Sequence, residues 1–138
     1  VIRLEEKTAV ARIEKSYWPC RVGDYVMPFE ESEGEMGKDK GYDQMDPNAS
    51  KQGQIVFIDM FRRLSGTNQW ASVNLGRQQC VQIGDQLTAF RRAQPNLPRE
   101  AFGSMIIIDV RGATSTVKIL SCKHAIEVGD EVQITAVR

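Results

Sequence analysis

Apolar and polar positions along this chain follow a period of two rather than the period of a helix. Over residues 8–15, Ala9, Ala11 and Ile13 fall on one face and Thr8, Arg12 and Glu14 on the other, which predicts a half-buried strand. Residues 55–61 are a dense β-type run, long enough to be buried on both faces. From Trp70 the alternation resumes and points Ala71, Val73 and Leu75 inward. Residues 86–90 predict a further strand. Residues 102–110 carry the strongest strand pattern in the chain, and Arg111-Gly112-Ala113 turns them into residues 114–120 as a hairpin. A final strand begins at Glu131. No amphipathic helix longer than two turns is legible.

One turn phrase occurs three times, as Val22-Gly23-Asp24, Ile83-Gly84-Asp85 and Val128-Gly129-Asp130. Glycine takes a backbone conformation closed to other residues, and Asp is expected to bond the N–H groups just beyond it. The β-branched residue is expected to anchor the turn in the core. Residues 8–26 align without gaps on residues 114–132, which predicts two quasi-equivalent halves packed around the central strands. Pro28 confines the strand after the first phrase to a short segment or a sheet edge. Residues 30–52 lose the pattern, running acidic and then basic with interspersed glycines, and read as a mobile loop or linker. The fold expectation is therefore all-β: one domain over residues 1–138, a small barrel of repeated strand–turn–strand units interrupted by a long polar loop.

Composition narrows the functional classes. The 138 residues carry a formal net charge of +0 with a pI near 6.8, which removes the usual electrostatic argument for nucleic acid, and no nucleic-acid partner is expected. No apolar run approaches the ~20 residues of a membrane span. The chain opens on Val1 rather than Met without a signal-peptide pattern, which reads as a fragment or processed product. Cys20, Cys80 and Cys122 are an odd set, read as small, partly buried hydrophobes, with one disulfide open to them in an oxidising compartment.

Candidate chemistry is sparse. His124 is the only histidine, and with Cys122 it makes a pair too small for a zinc site, so no metal or cofactor is expected. A lone histidine and no Gly-x-Ser-x-Gly leave no nucleophilic constellation, and the acids Asp24, Asp85 and Asp130 are accounted for by turns. No catalytic residue is assigned. Binding is better served by Tyr17, Trp18, Trp70 and Arg77, because aromatic and Arg side chains dominate interface hot spots. The competing expectation is that Trp18 and Trp70 plug the barrel ends. The arginines at strand ends, Arg62, Arg63, Arg77, Arg91 and Arg92, would then form a solvated rim.

Several segments together carry a family resemblance. They are Glu6 through Ile13, Val22-Gly23-Asp24-Tyr25-Val26-Met27-Pro28, Gly53-Gln54-Ile55-Val56, and Val73-Asn74-Leu75-Gly76 with Ile83-Gly84-Asp85. Leu97-Pro98-Arg99-Glu100 before Gly103, and Thr114-Ser115-Thr116 with Val128-Gly129-Asp130-Glu131-Val132, complete the set. This combination resembles the β-rich C-terminal region of bacterial LysM-containing (peptidoglycan-binding) envelope proteins, and part of it is similar to the C-terminal domain of flagellar assembly protein T. The resemblance implies a periplasmic or cell-envelope location and an SH3-like or related barrel. It implies a non-catalytic role: contacting peptidoglycan or an envelope protein, or spacing a LysM module. The alternatives are an oligomerising domain of a flagellar or secretion assembly, self-associating through a strand edge, and a hydrolase of cell-wall carbohydrate.

Overall fold

A computed structural model describes residues 1–16, 19–29, 39, 41, 51–59 and 63–136. Its contacts divide the chain into two units, residues 1–31 and 32–138. In the first unit β1 (Arg3–Leu4) and β2 (Ala9–Val10) form an antiparallel pair. The strand expected over residues 8–15 is thus reduced to two residues, and Ala9, Ala11 and Ile13 are all exposed rather than half-buried.

The second unit contains a closed antiparallel barrel of six strands. Around the barrel run β10 (Glu131–Ala136), β3 (Gln52–Ile58), β5 (Trp70–Val73), β8 (Ser115–Cys122), β7 (Glu100–Val110) and β6 (Gln86–Arg91), which returns to β10. The short strands β4 (Leu64–Ser65) and β9 (Ile126–Glu127) pair separately. Inward-facing Leu87, Ala89, Met105, Ile107, Val117, Ile119 and Val132 are fully buried and join Ile55, Ile58, Ala71, Val73 and Leu75 in one core. The predicted inward set Ala71, Val73, Leu75 and the hairpin of β7 with β8 both appear as the alternation required.

Closure needs curvature, and irregular register supplies it. The β7–β8 pairing shifts at Ser104/Met105 and again at Ile107/Asp109, and β6–β7 shifts at Ala89/Phe90. A further shift lies in β3, where Ile55 pairs with Val73 but Phe57 pairs with Ser72. Val56 is the extra residue. It resets the alternation, so Ile55 and Ile58 face the core while Val56 and Phe57 are 44% and 40% exposed. The run is therefore not buried on both faces. β3 also begins at Gln52, inside the stretch expected to be loop; most of that stretch lies outside the described residues, but the Asp39 carboxylate accepts a hydrogen bond from the Ser104 hydroxyl at 3.3 Å.

The three turn phrases share one geometry. In each, the Asp N–H donates to the carbonyl three residues earlier, and the Asp carboxylate accepts the N–H of that same residue: Arg21 at 2.7 Å, Gln82 at 2.9 Å and Glu127 at 2.7 Å. The glycines sit at φ of 98°, 93° and 96°, the third-position conformation of a type II turn. Asp thus closes the turn backward, not forward. The β-branched residue occupies the outward corner, with Val22 and Val128 exposed and Ile83 half-buried, so it does not anchor the core.

The second and third turns also dock alike. Gly84 N–H donates to Ile107 O while Ile107 N–H donates to Asp85 O, and Gly129 and Asp130 make the same two bonds with Ile55. The strands they launch, β6 and β10, lie side by side and antiparallel, with Leu87 opposite Ile134 and Ala89 opposite Val132. Quasi-equivalence thus relates the second and third turns, whereas β2 of the first block pairs with β1.

Candidate binding surfaces

Outward-facing side chains divide the barrel wall into two regions of opposite character. Across β10, β6, β7 and β8, register aligns Gln133, Thr88, Ser104 and Ser121 in one polar row. Three of them are buried, and the hydroxyls of Ser104 and Ser121 meet at 2.9 Å. Across β3, β5 and β8 the outward side chains are instead exposed or partly exposed and include two aromatics. Trp70, 49% exposed, stands opposite Lys118, and Phe57 stands opposite Ser72. Trp70 and Phe57 are therefore diagonal neighbours on one sheet face, within reach of a common flat ligand. Trp70 does not plug the barrel end.

A different group closes the end where β6 stops. Arg91 donates from Nε and Nη2 to the two carboxylate oxygens of Asp130, at 2.9 and 2.6 Å, and from Nη2 to Ala125 O at 3.3 Å. Its guanidinium also lies 4.7 Å from the centroid of the Phe102 ring, and the exposed His124 ring meets the same Phe102 at 6.3 Å. This arginine is held in place, not part of a solvated rim. Its affinity for the proton is raised above the ordinary guanidinium value, first by the hydrogen bond to Asp130, against an opposing desolvation.

Beside that pair opens a cleft of about 510 Å³ lined by Gln54, Phe90, Arg91, Arg92, Arg99 and the segment Gly129-Asp130-Glu131. Arg99 stacks over the Phe90 ring at 4.9 Å and approaches Glu131 at 3.8 Å. Arg92 donates to Pro95 O at 2.9 Å. Arg99 was not foreseen; its place beside Phe90 follows from how β7 re-enters the sheet after the proline connector, which spacing alone does not reveal.

Of the residues predicted to bind, Tyr17 and Trp18 lie outside the described residues. Trp70 is the first residue of β5, and the exposed Arg77 lies past its other end, in the short helical turn Arg77–Gln79. That turn docks on the β7–β8 hairpin through Arg77 N–H to Arg111 O and Gln78 N–H to Gly112 O, at 2.8 and 3.0 Å. Trp70 and Arg77 therefore belong to opposite ends of one strand and do not form a joint site.

Cys20 and Cys80 are exposed and Cys122 is half-buried, all as free thiols, so two of the three depart from the expected burial. Among the described residues no group of His, Cys, Asp and Glu is arranged to hold a metal ion. No helix among them is long and apolar enough to cross a membrane. No family model matches this chain, and no curated protein or solved structure is significantly similar to it.

Proposed function

We propose that this chain is a non-catalytic module of a bacterial cell-envelope protein of the LysM-containing type. It binds peptidoglycan, or an envelope protein, through the outer face of β3, β5 and β8, and its place is the periplasm or cell envelope. The observation that supports this reading is Trp70, half-exposed on a rigid barrel wall with Phe57 diagonal to it and Lys118 opposite. A sugar ring offers an apolar C–H face that stacks on an indole, while a nearby ammonium accommodates the carboxylates of peptide-substituted glycan. Catalysis finds less support, since the Asp130 carboxylate is occupied by Arg91 and the Asp85 carboxylate by Gln82 N–H.

The second reading is an oligomerising domain of a flagellar or secretion assembly. Closure pairs every barrel strand on both sides, so strand augmentation would have to run along the two-stranded pairs β1–β2 or β4–β9 rather than along the barrel.

Co-sedimentation of the chain with purified peptidoglycan sacculi, beside light scattering for mass, tests the proposal. Saturable binding by a monomer, weakened about tenfold or more by Trp70→Ala, is the expected result. A defined oligomer without sacculus binding would transfer the function to assembly, and binding indifferent to Trp70→Ala would remove the aromatic face from the account.

A further inference from the structure

We infer that the cleft beside the Arg91–Asp130 pair is a carboxylate-binding site, taking one free carboxylate of its ligand. It goes beyond the aromatic face, shares none of its residues, and is assigned by the state of each guanidinium in it. Arg91 is committed: its Nε and Nη2 are engaged by Asp130, and Nη2 also reaches Ala125 O. Its role is to hold the wall of the cleft. Arg92 and Arg99 keep donors to offer. Arg92 gives one Nη1 bond to Pro95 O, which fixes its direction without using its remaining N–H groups. Arg99 holds its guanidinium carbon 4.9 Å from the Phe90 ring centroid, a contact that restrains the group, while its Nε comes no closer to Glu131 than 3.8 Å. A guanidinium already oriented in this way loses less freedom when it binds, which is where much of the cost of recognition lies.

The ligand class follows from charge and from Glu131. Three guanidiniums line the cleft against the carboxylates of Asp130 and Glu131, with Glu127 a further carboxylate 4.0 Å from Arg91 Nη2, a balance that suits a single carboxylate better than a dianionic phosphate. Glu131 stands 3.8 Å from Arg99 Nε, with its side chain 46% exposed, beyond hydrogen-bond distance and screened by water. It occupies the position of a ligand carboxylate without making the paired N–H···O bonds that Arg91 makes with Asp130 one residue away. An incoming carboxylate able to form such bonds displaces Glu131 from Arg99 at little cost.

The test is titration of the ¹⁵N-labelled chain with N-acetyl-dialanine, followed through backbone amides and arginine Nε–H resonances. The C-terminal amide of the same peptide and inorganic phosphate serve as the other arms. The expected result is saturable shifts at Arg92 and Arg99 with the free carboxylate and none with the amide. Arg99→Gln should weaken the carboxylate about tenfold, and Glu131→Gln should strengthen it several-fold by removing the resident competitor. Both side chains are partly exposed and lie outside the core, so an unchanged spectrum elsewhere reports an intact barrel. Equal shifts with the amide, tighter binding of phosphate, no saturable shift at all, or weaker binding by Glu131→Gln would each overturn the assignment. Because neither Trp70 nor sacculi enter this measurement, its failure leaves the aromatic-face reading standing, and the reverse also holds.

Discussion

Arg91 and Asp130 face each other side-on across the end of the barrel, with Nε and Nη2 at 2.9 and 2.6 Å from the two carboxylate oxygens. Asp130 closes the third turn and Arg91 ends the strand launched by the second, so one ion pair ties the two quasi-equivalent units together. The Asp130 side chain is 7% exposed and the Arg91 side chain 38%. Removing the cation therefore strands a nearly buried carboxylate, while the guanidinium partly retains water.

Arg91→Met should lower stability by about 2 kcal/mol, roughly 6–10 °C in Tm for a chain of this size. Asp130→Asn should cost a similar amount, and the double variant less than the sum, because both remove the same interaction. Thermal unfolding of the four proteins measures this. Strict additivity would mean that the pair is not coupled.

Gly84→Ala and Gly129→Ala should each cost about 1–2 kcal/mol, since both glycines hold positive φ in turns that dock on the core strands. Gly76→Ala should cost more for another reason. A methyl group there would meet Thr114 N, Ala113 C and Arg111 O at 2.5, 2.6 and 2.7 Å, all backbone atoms that cannot swing away. Urea unfolding midpoints should rank Gly76→Ala lowest.

Met105→Ala should cost about 3 kcal/mol, because the side chain is fully buried in the core at the centre of β7 and its removal leaves a cavity. Trp70→Ala should cost about 1 kcal/mol or less, since half of the indole is already in water. Comparable losses for the two would contradict the outward placement of Trp70.

Two thiols per chain should react promptly with Ellman's reagent in the native state, Cys20 and Cys80, with Cys122 lagging until the barrel opens. Cys122 is half-buried at the end of β8, with its sulfur 3.8 Å from the Thr67 hydroxyl. Simultaneous reaction of all three would show that the end of β8 is open in solution.

Period-two alternation was enough to place the inward residues of β5, the β7–β8 hairpin and the strands that follow the second and third turns. These are local: each is set by which side chains can face a core and by what glycine permits. The same reasoning put a half-buried strand over residues 8–15, where the structure has two exposed residues paired with β1. Residues 55–61 likewise read as buried on both faces, because no local signal marks the bulge at Val56.

By itself, then, the sequence determined that the protein is all-β, where its tight turns fall, and that its positive and negative charges balance. The tertiary structure decided how those strands close into a barrel, which turn is equivalent to which, and which arginine is committed. The reason is range. Alternation and turn chemistry act over a few residues and are written in the local order of side chains. The partners of Arg91, Ile55 and Ile107 are 39, 75 and 22 residues away, at Asp130, Asp130 and Asp85, brought together only when the barrel closes.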